Sequence, residues 1–496
     1  MRSMIAVILI SQCVLFHASN ATAAYAKVEI DEKKIDQLVV DGMREHHIPG
    51  LSLGVIYRDQ LVFLKGYGTA DDDGRHVTPR TPFILGSTSK SFTALAIMQL
   101  VEQGEIELDA EVERYLTWLQ FEDPSGRRQV TVRDLLNQTS GISTYAGRKI
   151  LSEEPRSLEE PVRSQTILKL NEPVGTVFQY SNLNYVILGE IIQRVTGMSF
   201  EQYIEDRIFK PLDMISSYAD KSVAMEHGLA SGYQSIFGRL TTTNPKIQSA
   251  LVPAGYIISS AEDMTHYLLA QMNGGNYRKT SLISSAGMQL MHTPSSVFPY
   301  GMGWFADSRM ISHGGDAENF HSDLLLLPES GWGVVSLMNT NDALKTTLDG
   351  SVYTQLSMHI LNVISNGELF PSSMLLPTQS SNYDGYILII LSLAIAWILW
   401  AIYRVIKGKR EYPKTTLGCF IVNLSTIILY FLIPLAVLWR LPAIAMAPWG
   451  IIVRFIPGVG HALLIIPILL LLIGSAKVII GIQQMRRAYR SRRWTA

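Results

Sequence analysis

The pattern of hydrophobic and polar positions changes near residue 385. Up to that point, apolar residues recur at helical or alternating spacing among polar ones, which is typical of a globular domain. Beyond it, three continuous apolar stretches occupy residues 386–406, 417–438 and 461–482, and each is long enough to cross a bilayer as a helix. The pattern therefore predicts a globular domain followed by three transmembrane helices.

Within the globular part, the spacing predicts both helices and strands. Residues 28–47 place their apolar residues on one side of a helix, and residues 51–57 and 60–67 alternate as the two strands of a hairpin. A helix with one buried apolar face begins near Ser87 and ends at Gly104. Further helices are predicted at residues 130–142, 185–195, 200–208 and 261–272, and further strands at residues 301–307, 309–313, 322–327 and 333–339.

The N-terminus has the features of a targeting segment. A positive start at Arg2, an apolar stretch over residues 4–16 and the small residues Ala21-Thr22-Ala23 together predict a secretory signal peptide. The alternative is an uncleaved anchor helix, although the apolar stretch is short for a membrane span.

Basic residues indicate the orientation of the membrane segment. They cluster in the loop after the first apolar stretch and in the C-terminal tail, whereas the loop between the second and third stretches has only Arg440 and Arg454. Because Lys and Arg mark cytoplasmic loops, the globular domain is expected outside the cytoplasm of a bacterial cell. The expected segments are a signal peptide at residues 1–23, a globular domain at 24–365, a linker at 366–385, three spans within 386–482 and a basic cytoplasmic tail at 483–496.

The charge balance argues against a nucleic-acid partner. The chain has 496 residues, with 42 Lys and Arg against 43 Asp and Glu, so its net charge is −1. The two cysteines, Cys13 and Cys419, both lie outside the globular domain, which is therefore expected to lack disulfides and thiolate metal sites. No motif predicts a cofactor, and the histidines, including His313 and His321, are not at metal-ligand spacing.

Ser87-Thr88-Ser89-Lys90 is the first candidate for chemistry. Residues three apart on a helix are neighbours, so Ser87 Oγ and the Lys90 amine are expected to point the same way. Unpaired backbone N–H groups at the helix start could stabilise a developing oxyanion, and a serine beside an amine has the parts of an activated nucleophile. A serine at this position is more often only a helix cap, so the motif alone does not establish catalysis.

Two further motifs follow in chain order. Tyr180-Ser181-Asn182 lies in a loop just before the helix at residues 185–195, where side chains often carry out chemistry. His313-Gly314-Gly315 ends a strand, and its glycines would let a substrate approach the backbone closely. Taken singly, the tyrosine is equally explained as a turn residue and His313 as a structural histidine.

Together with their flanking sequences, the three motifs resemble the serine β-lactamase and penicillin-binding-protein-like superfamily, in its class C β-lactamase, DD-peptidase and esterase branch. The resemblance covers residues 28–364 and includes the flanks FILGSTSKSFTA and TVRDLLNQTSGI. It implies an α/β sandwich, in which an antiparallel sheet is flanked by helices, with an inserted helical subdomain at residues 107–248 and the active site between the two. The strands predicted near both ends of the domain agree with a single sheet.

The resemblance also implies a role for each motif residue. Ser87 would attack an acyl carbonyl and form an acyl-enzyme, while Lys90 and Tyr180 would share the role of base, with Tyr180 pushed towards phenolate by the nearby ammonium. Asn182 would position an amide side chain of the substrate. The backbone N–H groups of Ser87 and Asp316 would form the oxyanion hole.

The third motif departs from the β-lactamase pattern. His313-Gly314-Gly315 stands where lysine-threonine-glycine is usual, and a neutral histidine holds a substrate carboxylate less well than a lysine does. Efficient penicillin hydrolysis is therefore not expected, and the histidine looks more like that of esterase and D-aminopeptidase members. The substrate-binding residues implied by the resemblance are Asn182, His313, Gly315, Asp316 and Asn319.

The three spans add a second resemblance. Peptidases that activate nonribosomal prodrugs, such as the colibactin maturation peptidase, join a similar domain to three C-terminal spans, and ISHGGDAENF at residues 311–320 looks like the matching stretch in them. This resemblance implies that Asn319 reads the amide of a D-asparagine. Asn182 and Leu251 do not look like the other side-chain readers of that group.

These observations predict a membrane-anchored, extracytoplasmic serine hydrolase, acting as a peptidase, amidase or esterase through Ser87. The expected substrate is a small molecule or peptide, with D-amino-acid-containing peptides and acylated prodrugs as the leading classes. The alternatives are a true β-lactamase or DD-peptidase, a receptor for β-lactams or cell-wall fragments, and a scaffold with a vestigial site. The spans could be an anchor alone, or an interface for a transporter or a homodimer partner.

Overall fold

The structure is a computed structural model that describes residues 30–126, 128–153, 155, 157–163, 167–246, 249–365, 383–407 and 416–493. The expected signal peptide at residues 1–23 and most of the expected linker at residues 366–385 lie outside the described residues.

Up to residue 365 the chain contains both strands and helices, and the described elements beyond residue 382 are helices. In chain order, the strands are β1 Gly50–Tyr57, β2 Gln60–Gly68, β3 Phe83–Ile84, β4 Gln120–Glu122, β5 Ile167–Lys169, β6 Gly232–Ile236, β7 Arg239–Thr243, β8 Ile258–Ser259, β9 Asn276–Tyr277, β10 Thr280–Ser281, β11 Phe305–Ala306, β12 Ile311–Asp316, β13 His321–Leu327, β14 Trp332–Met338 and β15 Thr340–Asn341. The α-helices are α1 Glu32–His46, α2 Ser89–Glu102, α3 Val132–Leu136, α4 Thr144–Lys149, α5 Glu159–Arg163, α6 Asn182–Thr196, α7 Phe200–Ile204, α8 Lys221–Glu226, α9 Val252–Gly255, α10 Ala261–Met272, α11 Ser285–His292, α12 Ala343–Asp349, α13 Val352–Ile364, α14 Tyr383–Ile406, α15 Thr416–Ile427, α16 Ile433–Ile444, α17 Trp449–Phe455 and α18 Val459–Arg493.

A six-stranded antiparallel sheet forms the centre of the globular part, with strand order β11-β12-β13-β14-β1-β2. Strands β1 and β2 form the expected hairpin, and β14 pairs with β1 in a register that sets Val55 opposite Val334. The sheet therefore contains strands from both ends of the domain, as the family resemblance implied. The expected α/β sandwich is confirmed.

Alternating side chains pack this sheet against helices on both faces. Leu51, Leu53 and Val55 of β1 belong to a core shared with α1 and α13, whereas Ile56 and Val335 belong to the core shared with α10. Successive residues of a strand face opposite sides of a sheet, so one strand supplies both cores.

Helix α2 is buried on all sides and not on one face as expected. Every residue from Ser89 to Leu100 is buried, Lys90 among them. The helix packs against α6, α9 and α11, which together leave it little contact with water. A helix that is buried around its whole circumference is a core helix, and Lys90 lies in the first turn of this one.

The expected helical insertion at residues 107–248 is mixed in content. It contains helices α3 to α8 but also the strand pairs β4–β5 and β6–β7. Helix α6 begins at Asn182 and not at residue 185, so Asn182 belongs to its first turn. Strand β11 has only two residues, Phe305–Ala306, where the pattern predicted seven positions of strand.

Three helices are long and apolar enough to cross a membrane, over Gly385–Ile406, Phe420–Ile444 and Val459–Gln483. The second contains a π-helical turn at Ile428–Leu432. It ends at Ile444, six residues past the expected end at residue 438. The connection between the second and third spans is correspondingly short.

This connection packs onto the globular part. Ala447 and, from α17, Ile451 and Ile452 are buried in the same hydrophobic core as helices α2 and α6. Arg454 Nε in the same helix lies 2.6 Å from Glu318 Oε1, and Glu318 is fully buried. The end of the membrane segment that holds α17 is therefore fixed against the globular part.

Candidate active site

Ser87 lies in a tight turn that leads into the central helix. Gly86–Thr88 forms a 3-10 turn before α2, and Gly86 has a φ of +58°, which favours glycine. Thr88 Oγ1 donates to Leu85 O at 2.8 Å and Ser89 Oγ donates to Gly86 O at 2.7 Å, so the turn is held by its own side chains. Ser87 itself is half-buried and faces a cavity.

Lys90 lies beside Ser87, as the spacing predicted. Its Nζ is 3.1 Å from Ser87 Oγ, 2.8 Å from Asn182 Oδ1 and 2.5 Å from Ala254 O. The residue is completely buried, and burial holds the pKa of Lys90 well below its usual value because the charged ammonium loses its solvation. Lys90 is therefore suited to exist as a neutral amine and to accept a proton.

Tyr180 approaches the same pair from the loop before α6. Its ring centre lies 4.8 Å from Lys90 Nζ, and its buried hydroxyl makes no hydrogen bond of normal geometry within the described residues. Burial raises the pKa of Tyr180 well above its usual value, and the nearby Ser87 hydroxyl opposes this only in part. The expectation of a phenolate is wrong for this site, because a buried tyrosine beside a neutral amine keeps its proton.

Asn182 and Gln138 together hold this loop in place. Asn182 Oδ1 accepts the hydrogen bond from Lys90, and its side chain also lines the cavity. Gln138 Oε1 accepts from the backbone N–H of Ser181 at 2.9 Å and from Asn184 Nδ2 at 2.5 Å. Gln138 thus positions the loop that carries Tyr180 and Asn182, a role that its sequence position did not reveal.

His313 lines the cavity from strand β12. Its Nδ1 lies 2.6 Å from Gly314 O and its Nε2 lies 3.4 Å from Tyr300 Oη, so Nδ1 carries the proton and Nε2 accepts from the phenol. Burial is the main cause that lowers the pKa of His313 to about 3. The imidazole is therefore neutral at physiological pH. This was the protonation state assumed when His313 was compared with the lysine that is usual at this position.

Gly315 and Asp316 bring strand β12 against the Ser87 turn. A Cβ built on Gly315 would lie 2.0 Å from Leu85 O and 3.0 Å from Ser87 N, and one built on Gly86 would lie 2.6 Å from Asp316 N. No side chain fits between these backbones. Glycine at both positions therefore allows the backbone N–H groups of Ser87 and Asp316 to lie close together, as an oxyanion hole requires.

Asn319 does not take part in this arrangement, and its expected contact with substrate requires correction. Its side chain is 2% exposed, and Nδ2 donates to Thr243 O at 2.7 Å. It packs against Gly232 of strand β6 and is absent from the cavity lining. The turn after β12 directs the amide into the core, so Asn319 serves the fold.

Sequence reasoning missed two residues behind the site. His321 and Asp323 lie two positions apart on strand β13, so both point to the same face. His321 Nδ1 donates to Asp316 Oδ1 at 2.8 Å. Asp316 is also the residue whose backbone N–H belongs to the candidate oxyanion hole. The alternation of His321 and Asp323 within an apolar strand was the signal that could have identified them.

Several of the candidate residues line one cavity of about 790 Å³, a size typical of small-molecule sites. From the globular part its lining includes Ser87, Tyr180, Asn182, His313 and Asp316. The other side of the cavity is formed by residues from the second span, the connection and the third span, which sequence reasoning did not connect with the site.

Comparisons with known proteins show which family this chain resembles. A family model described as Beta-lactamase matches residues 35–353. The chain is 30% identical over 335 residues to Protein flp of Staphylococcus aureus strain MW2, covering 66% of this chain and 67% of that protein. A match to Protein flp of strain MRSA252, at 27% identity, covers 86% of both chains and so extends into the membrane segment. Unguisins hydrolase ungD' of Aspergillus campestris is 26% identical over 344 residues, which cover 64% of each chain.

Solved structures show the same fold. An octameric penicillin-binding protein homologue from Pyrococcus abyssi superposes with a TM-score of 0.58 at 29% identity, covering 68% of this chain and 78% of that one. FmtA from Staphylococcus aureus superposes with a TM-score of 0.54 at 23% identity, covering 68% and 88%.

Proposed function

This chain belongs to the β-lactamase family, whose members are generally serine hydrolases, and on that premise we propose that it cleaves esters, amides or peptides through an acyl-enzyme on Ser87. The observation that carries this proposal is the contact between the hydroxyl of Ser87 and the buried amine of Lys90, 3.1 Å apart. A nucleophile beside a group able to take its proton is the minimum that acyl transfer needs.

Acylation starts from the neutral amine. A neutral amine has two N–H donors and one lone pair. Ala254 O and Asn182 Oδ1 accept the two donors, so the lone pair faces Ser87 Oγ. Lys90 takes the Ser87 proton as Oγ attacks the carbonyl carbon, and the N–H groups of Ser87 and Asp316 stabilise the oxyanion.

Tyr180 acts as the acid in this scheme. Because its pKa is raised, the phenol keeps its proton at neutral pH and donates it to the leaving nitrogen or oxygen as the scissile bond breaks. Lys90 then returns a proton to Tyr180, and Ser87 is left as an ester. Water attacks this ester with Lys90 as base, which releases the carboxylic acid and restores the Ser87 hydroxyl.

The neutral His313 favours an uncharged substrate group beside it. His313 is uncharged, so it offers no cation to the carboxylate that penicillins carry. This supports ester, amide and D-amino-acid peptide substrates over β-lactams. A curated relative is named as a hydrolase of unguisins, which supports hydrolysis without defining the substrate of this chain.

The membrane segment supports an anchored enzyme whose catalytic domain lies outside the cytoplasm. The connection that packs on the globular part lies between the second and third spans, on the side opposite the basic loop and tail. The positive-inside rule assigns those basic residues to the cytoplasm.

The test is the intact mass of the full-length protein in detergent after exposure to a fluorophosphonate. We expect a single adduct on the wild type and on the surface control Ser125→Ala, and none on Ser87→Ala. The absence of a Ser87-dependent adduct would count against a hydrolase and in favour of a receptor or a scaffold.

A parallel incubation with penicillin separates the hydrolase subtypes. We expect little or no penicillin adduct because the site lacks the usual lysine. A stable adduct would instead indicate a cell-wall peptidase or a β-lactam receptor, and a transient adduct with loss of penicillin would indicate a β-lactamase.

A further inference from the structure

We propose that the cavity binds an aliphatic chain of the substrate against the membrane segment, so that the enzyme acts on amphiphilic esters or amides that carry such a chain. This substrate class rests on the serine hydrolase function proposed above. The spans would then form part of the binding site as well as the anchor.

The cavity connects the nucleophile with the membrane segment without interruption. Ser87 and Tyr180 line one part of it, and Ile444, Ala447 and Leu463 line another. The membrane segment is therefore a wall of the candidate active site itself, more than 350 positions away from Ser87 along the chain.

This wall is apolar throughout. Every residue that positions 441–463 contribute to the lining is Leu, Ile, Ala or Phe. Leu151, Leu251 and Leu344 continue the apolar surface on the globular side. Polar side chains, among them Thr144, Arg148 and Thr347, line other parts of the cavity. The chamber bounded by the membrane-side wall offers no side-chain partner to a polar group, and polar groups are costly to bury without one, so we expect the part of a substrate that lies against this wall to be apolar.

The cavity reaches the ends of two spans. Ile444 is the last residue of the second span, and Leu463 lies in the first turns of the third, which begins at Val459. Ile444 is 74% exposed and Leu463 is 38% exposed in the isolated chain, so both apolar side chains are available to lipid or to a bound chain. A chain that is already inserted in the bilayer can therefore reach the cavity along these residues.

Polar contacts hold the wall in position. Arg454 forms the ion pair with Glu318, and its Nη1 donates to Leu151 O at 2.9 Å. Arg148 Nη1 donates to Ala445 O at 2.5 Å. Glu318 also accepts from Tyr256 Oη at 3.0 Å. The wall is thus fixed on both sides of the chamber, as a preformed binding site requires.

The first test measures chain-length preference with the full chain in nanodiscs. One series consists of p-nitrophenyl esters whose acyl chain has two to eight carbons. The other consists of alkyl esters whose alcohol chain has two to eight carbons. If the chain occupies the chamber, kcat/KM should rise by about three- to fourfold for each added methylene in one of the two series. A rise of less than threefold over the whole of both series would overturn the proposal.

The second test uses the wild-type protein and needs no folded variant. A fluorophosphonate with an octyl chain ending in a diazirine is attached to Ser87 and then illuminated. We expect crosslinks to peptides from residues 441–463. Crosslinks confined to the globular part would overturn the chamber while leaving the hydrolase intact, whereas a failure to form the Ser87 adduct would reject the hydrolase function itself.

Variants of the wall give an independent measurement. Ala447→Phe fills the chamber and should lower the ratio of octanoate to acetate kcat/KM at least tenfold, and Ile452→Ala, which removes wall surface, should lower it less. Val453→Phe is the matched control, because Val453 lies in the same helix but does not line the cavity. An equal change of the ratio in Val453→Phe and Ala447→Phe would contradict the proposal.

Discussion

His321 Nε2 lies 3.0 Å from Asp323 Oδ2, and both side chains are 1% exposed. Burial alone would lower the pKa of His321, but the carboxylates of Asp323 and Asp316 outweigh it and raise this pKa to about 10. Asp323 also accepts from Ser357 Oγ and Thr354 Oγ1, each at 2.8 Å. A buried imidazolium therefore ties strand β13 to the side chain of Asp316, directly behind the candidate oxyanion hole.

His321→Gln should destabilise the protein, because it leaves Asp323 as a buried carboxylate without its cation. Removing one partner of such a pair costs about 3–5 kcal/mol. Since the folded pKa of His321 is raised, its contribution is complete below about pH 6.5 and is lost as the pH rises towards 10. The gap in melting temperature between wild type and variant should thus narrow over that range. His76→Gln, on an exposed histidine, is the control, and a gap that stays constant with pH would reject the ion pair.

Lys90→Met should reduce the rate of fluorophosphonate labelling by about 10²–10⁴-fold, because it removes the base and retains the buried stem. The wild-type rate should fall as the pH drops through the depressed pKa of Lys90, since only the neutral amine accepts a proton. The rate should level off well below pH 10.5, the pKa of an ordinary lysine. A rate that still rises tenfold per pH unit up to pH 10 would instead show a lysine with an ordinary pKa. Gln103→Met, at the end of the same helix, is the control.

Tyr180→Phe should reduce turnover by about 10²–10⁴-fold with little loss of stability, because the hydroxyl that it removes has no hydrogen bond of normal geometry. Tyr185→Phe offers the opposite case. Its buried hydroxyl donates to Leu136 O at 2.8 Å, and its removal should cost about 1 kcal/mol of stability with a smaller effect on turnover. The comparison requires steady-state rates and melting curves for both variants. Equal effects on turnover would remove Tyr180 from the proposed mechanism.

Gly315→Ala should lower kcat far more than it lowers stability. Its Cβ would meet Leu85 O at 2.0 Å, which forces the Ser87 turn away from strand β12 and disturbs the oxyanion donors. Loss of one such donor reduces kcat by about 10²–10³-fold. In Gly314→Ala the nearest atom, Asp323 Oδ1, lies at 3.4 Å, so the effect should be much smaller. The measurement is kcat of the two variants under the same conditions. Equal losses of kcat would contradict the proposed displacement of the oxyanion donors.

The orientation of the membrane segment is testable with reporter fusions. Alkaline phosphatase fused after Ser365 should be active because that position is expected outside the cytoplasm, and fusion after Lys407 should be inactive. A green fluorescent protein at the C-terminus of the full chain should fluoresce. Phosphatase activity after Lys407 together with a dark C-terminal fusion would reverse the proposed topology.

Local patterns were sufficient for much of the fold. Alternation at residues 51–57 and 60–67 predicted the hairpin of β1 and β2, and strands near residues 301–339 were also predicted. That both groups belong to one sheet was an implication of the family resemblance. Thr131 caps the short helix α3, within the helix predicted at residues 130–142, and forms a capping box with Asp134. Interactions of this kind involve neighbours along the chain, so the local sequence is sufficient to predict them.

The core helix α2 marks the first limit of such reasoning. Its sequence predicts one buried face, but α6, α9 and α11 cover the remainder. This covering makes Lys90 a buried amine, and burial is what lowers its pKa and raises that of Tyr180. The sequence identified both residues, whereas their protonation depends on elements that lie far apart along the chain.

The sequence by itself determined the candidate nucleophile pair, because Ser87 and Lys90 are three residues apart at a helix start and must be neighbours. The tertiary structure alone decided that Asn319 faces the core and that residues near 441–463 form a wall of the site. The physical reason is that hydrophobicity is not directional. An apolar residue at the end of a span satisfies its pattern equally well against lipid, against protein or against a substrate, and only the packing of distant segments selects among them.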